Sequence, residues 1–207
     1  MGTYDNARKQ TEAKIIQAFW ELYKTEKIEK ITVKSITDAC GIHRATFYLH
    51  YQDVYSILEQ IETSLMQSLD DMSSASFKTD ADITNYVNNI FGLFQQNHDY
   101  LHVLLREQRE PKFAIAYKNK LKQKLQQILQ FTAEAFDSKT NALIDMTLSA
   151  HVDMFIYWAD ETPFSFEEMN SLMKGYMLKG IYNTLKNDFN IQFNVDPYGD
   201  DFFNSGS

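Results

Sequence analysis

The segment 32–58, TVKSITDACGIHRATFYLHYQDVYSIL, restricts the fold more than any other part of this chain. Two short stretches with apolar patterning, 33–40 and 43–50, lie on either side of Gly41. A glycine at this place can adopt the left-handed conformation that ends one helix and lets the chain turn into the next. Thr32 precedes the first stretch with a hydroxyl suited to an N-cap. The segment therefore predicts a helix, a tight turn and a second helix.

The second of these helices would present a polar and aromatic face. Its small Ala45 predicts close packing on neighbouring helices, and Phe47 is expected to point inward. In a helix that lies in a DNA major groove, the remaining side chains can reach phosphates and base edges. We therefore interpret the segment as a DNA-binding helix-turn-helix. The candidate DNA contacts on this helix are His43, Arg44, Thr46, Tyr48 and His50.

The rest of the chain predicts long helices, because only 3 Pro and 7 Gly occur in 207 residues. We expect an all-α protein with a three-helix DNA-binding domain over 1–52 and a larger helical regulatory and dimerisation domain over 53–189. Asp53 is expected to cap a connecting helix over 53–72. A further capping box begins at Ser165. The last residues, 190–207, read as a flexible tail.

Charge is unevenly distributed along the chain. The whole sequence has a net charge of −8, yet residues 1–52 hold 8 Lys/Arg and 6 Asp/Glu, which gives +2. A mildly basic first part is compatible with local contact to DNA. The single cysteine, Cys40, suits a reducing compartment. No stretch approaches the roughly 18 apolar residues of a membrane span, so we expect a cytoplasmic protein.

The residues around the turn carry a family resemblance. Thr32-Val33, Gly41-Ile42, Thr46-Phe47-Tyr48 and His50-Tyr51 resemble, in register, the helix-turn-helix of the tetracycline-repressor-like (TetR/AcrR) family of bacterial transcription regulators. The resemblance extends over roughly the first 60 residues. It implies that Thr32 and Lys34 contact phosphates, that His43 and Arg44 face base edges, and that Thr46, Tyr48 and His50 anchor phosphates.

The resemblance also implies how such a protein works. The family forms homodimers through its last two long helices, here about 139–160 and 165–187, and its body binds an inducer. We therefore expect a repressor that binds a pseudo-palindromic DNA operator and is released by a small-molecule effector. Two alternatives stay open: a DNA-binding regulator that is controlled by a protein partner, and a helical ligand-binding protein that has lost DNA binding.

Three positions depart from the family pattern. His43 stands where Ser or Thr is usual, so the second helix has a poorer N-cap. Ala45 replaces a frequent glycine. Val54 stands where many relatives carry a phosphate-binding lysine, so that contact is not expected here.

Catalytic chemistry finds no support in the sequence. No phosphate-binding glycine loop, nucleophile elbow or clustered carboxylates are present, and we expect no enzyme activity and no cofactor. His98 and His102 have the i,i+4 spacing of a metal-binding pair, but no HExxH pattern and no cysteine accompanies them, so we expect no metal. The four lysines at 118, 120, 122 and 124 are interpreted as a solvated helix face.

Overall fold

The computed structural model describes residues 2–72, 88–90, 92–107, 111–130 and 138–161, together with positions 165, 167, 168 and 171. In these ranges every regular element is helical, as the sequence predicts. The helices are α1 (Gly2–Tyr23), α2 (Val33–Cys40), α3 (Arg44–Tyr48), α4 (Val54–Asp70), α5 (His98–His102), α6 (Pro111–Gln130) and α7 (Ser138–Glu161). A 3₁₀ turn spans Ile28–Lys30 and a π-helical turn spans Val103–Glu107.

Two compact units divide the chain, and the division falls within α4, between Leu65 and Met66. The N-terminal unit consists of the chain up to Leu65, with Glu107. The C-terminal unit comprises the described residues from Met66 to Arg106 and from Pro111 onward. The assignment of DNA binding to 1–52 and of regulation to 53–189 stays a prediction.

Apolar side chains from all four helices form the core of the N-terminal unit. In this unit α1 packs against α2, and α2 packs against α3. Phe47 is fully buried, as expected from the sequence. The other buried contributors include Ile15, Phe19 and Tyr23 of α1, Ile36 of α2, and Ile57 and Ile61 of α4. A core of this kind holds the short α3 in place, because five residues could not form a stable helix in isolation.

Local capping determines where the helices of the motif begin and end. The Thr32 hydroxyl accepts a hydrogen bond from the Ser35 amide at 3.1 Å, and the Ser35 hydroxyl accepts one from the Thr32 amide at 3.0 Å. Gly41 ends α2 with φ 69°, in the left-handed region. Asp53 accepts from the Ser56 amide at 2.8 Å and so caps α4. All three features were predicted from the sequence.

In the C-terminal unit, α6 packs against α7, and α5 also contacts α7. The core of this unit includes Leu101, Leu104, Phe113, Tyr117 and Ile144. The Phe94 and Tyr117 rings meet edge to face with centroids 5.9 Å apart. Burial raises the pKa of the Tyr117 phenol. The segment that contains Phe94 thus packs against α6.

The C-terminal predictions are only partly covered by the described residues. The helix expected over 139–160 is α7. Ser165 forms the predicted capping box: its hydroxyl accepts from the Glu168 amide at 3.2 Å, and its own amide donates to the Glu168 carboxylate at 2.7 Å. The hydrogen bonds that the Ser165 amide and hydroxyl donate to the Glu168 carboxylate lower the pKa of Glu168. The rest of the helix expected over 165–187, apart from 167, 168 and 171, and the tail over 190–207 lie outside the described residues.

Candidate nucleic-acid interface

The exposed face of α3 is the centre of the candidate interface. His43 is the N-cap residue, and its side chain makes no capping hydrogen bond, as the departure from Ser or Thr predicted. His43 and the next residue, Arg44, are both exposed. Tyr48 lies one turn beyond Arg44 on the same face and exposes 59% of its surface. A cation, an imidazole and a phenol therefore point away from the core.

Two predicted phosphate contacts lie at the start of α2, and both already have partners. The Thr32 hydroxyl accepts from the Ser35 amide at 3.1 Å and donates to the Ser35 hydroxyl at 3.3 Å, so a phosphate would have to replace the second of these bonds. The Lys34 ammonium forms an ion pair with Asp38 at 3.0 Å, one turn along α2. Both side chains of this pair are mostly exposed, so it contributes little stability and can be replaced by a phosphate. The i,i+4 spacing of Lys34 and Asp38 is the sequence signal that indicates this competition.

Thr46 and His50 are only partly exposed. The Nδ1 atom of His50 is buried and has no hydrogen-bond partner among the described residues. A DNA contact from His50 would therefore use its Nε2 atom. The neighbouring Tyr51 ring is buried, and burial together with the nearby Glu12 carboxylate raises the pKa of its phenol. Tyr51 thus belongs to the core under the interface.

One position differs from the expectation drawn from the sequence. Ala45 was expected to pack closely on neighbouring helices, but it is exposed. The reason is geometric, since residues 45 and 47 lie on different sides of α3 and only Phe47 enters the core. Val54 is largely buried, so its position faces the core of the N-terminal unit. The next residue, Tyr55, is the one that faces solvent there.

Leu49 is a surface residue that sequence reasoning missed. It is the C-cap of α3, with φ −75° and ψ −19°, and so continues the helical register. Its side chain exposes 77% of its surface, more than any other large apolar side chain in the described residues. The sequence pattern did not indicate this exposure, since the i,i+4 neighbour of Leu49 is Ala45, which was expected to pack on other helices.

In the part of the chain that the structure describes, cationic side chains without an ion pair are more numerous in the N-terminal unit than in the C-terminal one. Among the described residues, six cationic side chains of the N-terminal unit form no ion pair: Arg8, Lys9, Lys14, Lys27, Lys30 and Arg44. Lys120, Lys122 and Lys124 of α6 instead bind acidic or carbonyl groups of their own unit. Lys120 pairs with Asp70 at 2.6 Å, Lys122 pairs with Asp145 at 2.7 Å, and Lys124 donates to the Asp70 carbonyl at 3.0 Å.

The interpretation of the α6 lysines as a solvated face is therefore wrong for most of them. These side chains connect α6 to the end of α4 and to α7, and their charge is compensated inside the unit. The cations that can pair with phosphates of a nucleic acid therefore lie mainly in the N-terminal unit.

His98 and His102 stack on α5 with ring centroids 5.8 Å apart. Among the described residues, no group of three or more potential ligands is placed to hold a metal ion. In the same part of the chain, no helix combines the length and the apolar character needed to cross a membrane.

Comparison with solved structures identifies the arrangement of helices. A TetR transcriptional regulator from Streptococcus agalactiae 2603V superposes with a TM-score of 0.58 over 82% of this chain and 97% of that one, at 21% sequence identity. The chain has the fold of the TetR-type transcriptional regulators. The three-helix motif in front of a helical body, expected from the sequence, is thus confirmed as part of this fold.

Other solved structures of regulators give similar values. NalD, the secondary repressor of the MexAB-OprM multidrug efflux pump in Pseudomonas aeruginosa, has a TM-score of 0.58 and 16% identity over 84% of this chain and 97% of its own. The fatty acid degradation regulator FadR from Bacillus halodurans has a TM-score of 0.58 and 16% identity, and it covers 82% of this chain and 95% of its own.

Sequence comparison gives a shorter match. An uncharacterised helix-turn-helix-type transcriptional regulator of Bacillus subtilis, YxbF, is 33% identical over 58 residues, which span 28% of this chain and 15% of that protein. No protein-family model matches the sequence.

Proposed function

We propose that this protein is a DNA-binding transcriptional regulator that places α3 in the major groove of its operator. The observation that carries the proposal is the outward face of α3, on which His43, Arg44 and Tyr48 are exposed while Phe47 anchors the helix in the core. A helix held in this way can enter a groove without unfolding. The TetR-type fold supports the same function, since the proteins that share it are named as transcriptional regulators.

Phosphate contacts should provide most of the affinity. The unpaired cations of the N-terminal unit are available for this role, together with Thr32, Lys34, Thr46, Tyr48 and His50. Each neutralised phosphate releases condensed counterions, so binding should weaken steeply as salt increases. Base recognition would fall mainly to Arg44 and His43 at the start of α3.

We further propose that the working unit is a homodimer. On α7, Ala142, Met146 and Ala150 lie at i, i+4 and i+8 and are exposed in the single chain. A second copy of the chain would cover this apolar stripe, and the helix expected over 165–187 would complete the interface. Two-fold symmetry would then present two copies of α3 to successive major grooves, about 34–36 Å apart.

We also propose that a small-molecule effector controls DNA binding through α4. Helix α4 contributes residues to both compact units, and its C-terminal end is held by Lys120 and Lys124 of α6. A ligand that shifts α6 would therefore act on the helix that continues into the DNA-binding unit. Such coupling must be reciprocal: a compound that releases the DNA binds more tightly to the DNA-free protein by the same factor.

The test is a fluorescence-anisotropy titration of the full chain with the duplex that lies upstream of its own coding sequence. We expect saturable binding that exceeds binding to a scrambled duplex by at least about 10³-fold, with log affinity falling linearly as log salt increases. Equal affinity for both duplexes at every salt concentration would contradict the proposal for this DNA. A compound library added to the complex then tests effector release.

A further inference from the structure

We propose that Ala45 and Leu49 form an apolar strip on α3 that reads the C5-methyl group of thymine in each half of the operator. The inference rests on the proposed DNA-binding function and extends it to the base recognised. Both apolar side chains are exposed on the face of α3 that points away from the core.

The helical register places the two residues together. Residues four apart lie one above the other on a helix, so Ala45 and Leu49 form one column and Arg44 and Tyr48 form the adjacent column. The backbone of Leu49 is still α-helical, and the hydrogen bond from the Tyr51 amide to the Phe47 carbonyl, 3.0 Å, continues the winding beyond it. The exposed face of α3 therefore has a polar column beside an apolar one.

The side chains of the apolar column do not contribute to the core of the N-terminal unit. Phe47 supplies the core contact of α3 and is fully buried, whereas Ala45 and Leu49 are both exposed. An isolated exposed leucine is ordinary on a protein surface. Among the side chains of the N-terminal unit that the structure describes, however, the exposed large apolar ones all lie at α3 or at the start of α4: Tyr48, Leu49 and Tyr55.

The chemistry of the major groove offers one apolar group. Of the four bases, only thymine presents a methyl group there, and alanine and other apolar side chains contact it. An apolar column next to Arg44 thus fits an operator in which a thymine lies near the base pair that Arg44 reads. Covering one methyl group with a leucine is worth roughly a fourfold change in affinity.

Uracil substitution tests the inference at the level of one methyl group. The full chain is first used to select duplexes from a random library, and every thymine of the selected duplex is then replaced by deoxyuridine, one symmetric pair at a time. We expect one pair whose replacement weakens binding about sixteenfold, since a methyl group is lost in both half-sites. No effect at any thymine would overturn the inference.

Variants of Leu49 distinguish loss of the contact to the methyl group from an effect of deoxyuridine on the duplex itself. Leu49→Ala should bind the thymine and uracil duplexes with nearly equal affinity, and Leu49→Met should restore most of the preference for thymine. The matched control is Ile115→Ala on α6, an exposed apolar residue of the C-terminal unit, which should keep the full preference. A Leu49→Ala protein that still prefers thymine by the same factor would also overturn the inference.

The same experiment distinguishes this inference from the function beneath it. If the selection enriches no duplex with the wild-type chain, the proposed DNA binding itself fails. If a duplex is enriched but its thymine methyl groups have no effect, only the methyl-reading role of Leu49 fails.

Discussion

At the residue scale, single side chains of the N-terminal unit divide between the core and the candidate interface. Phe47 and Tyr51 are buried, whereas Arg44 and Tyr48 are exposed, although all four lie within eight residues of each other. A substitution in this short stretch should therefore affect either stability or DNA binding, and seldom both. Two variants test this division.

Arg44→Ala should weaken binding to the operator by about 1–3 kcal/mol and relax the preference at one base pair of each half-site. The reason is that a guanidinium can donate two hydrogen bonds to the O6 and N7 atoms of guanine. Anisotropy titrations against duplexes with single base-pair changes measure both effects. Arg44→Lys is the control that keeps the charge without the planar fork. Uniform weakening on every duplex would assign Arg44 to a phosphate.

Tyr51→Phe should leave the free energy of unfolding unchanged or raise it by up to about 1 kcal/mol at neutral pH. The Tyr51 hydroxyl is buried without a hydrogen-bond partner among the described residues, and such a group costs stability. Urea unfolding measures the change. Phe47→Ala, which removes a fully buried ring, should cost about 3–5 kcal/mol in the same assay.

The pH dependence of this variant has a definite sign. The pKa of Tyr51 is raised in the folded protein, so the folded state holds the phenolic proton more tightly than the unfolded state. The resulting stability is present below about pH 10, the ordinary pKa of tyrosine, and is lost as pH rises above it. Tyr51→Phe should therefore lose less stability than the wild type between neutral and strongly alkaline pH. An equal loss in both proteins would argue against this role of Tyr51.

At the element scale, the turn between α2 and α3 depends on backbone conformation more than on space. Gly41 has a positive φ, and an added Cβ would meet nothing within 4 Å. The cost of any side chain there is thus the strain of the left-handed conformation alone. Gly92 lies in a helical stretch, and an added Cβ would also meet nothing within 4 Å.

Gly41→Ala should lower the free energy of unfolding by about 1–2 kcal/mol, because alanine is strained in the left-handed region. Gly92→Ala should raise it by about 0.5–1 kcal/mol, because alanine loses less conformational freedom in a helix. Chemical denaturation of the two variants, followed by circular dichroism, measures both values. Gly41→Asn should recover part of the loss. A stabilised Gly41→Ala protein would contradict the left-handed turn.

At the scale of the whole molecule, charge is arranged separately in the two units. Lys120 and Lys122 of α6 pair with Asp70 and Asp145 inside the C-terminal unit, whereas most cations of the N-terminal unit have no acidic partner among the described residues. The chain can therefore bind an anionic polymer locally while its net charge is −8. A dimer would double this local attraction.

Met146→Asp should convert the proposed dimer into monomers, because it places a charge at the centre of the exposed apolar stripe of α7. Sedimentation velocity should show the mass falling from two chains to one. Operator affinity should fall with it, since a monomer engages one half-site. Ile115→Asp on α6 is the matched control and should stay dimeric. A Met146→Asp dimer of unchanged stability would place the interface elsewhere.

The sequence by itself determined the features that depend on neighbours three or four residues away. The Thr32 and Asp53 caps, the Gly41 turn and the inward Phe47 follow from local hydrogen bonding and helical period, so they were predictable. Tertiary structure decided which remaining faces were covered: Ala45 and Leu49 stay exposed, Val54 is buried, and Lys124 reaches the carbonyl of Asp70. These outcomes depend on helices that are distant in the chain, and no local pattern specifies which helix will pack against which face.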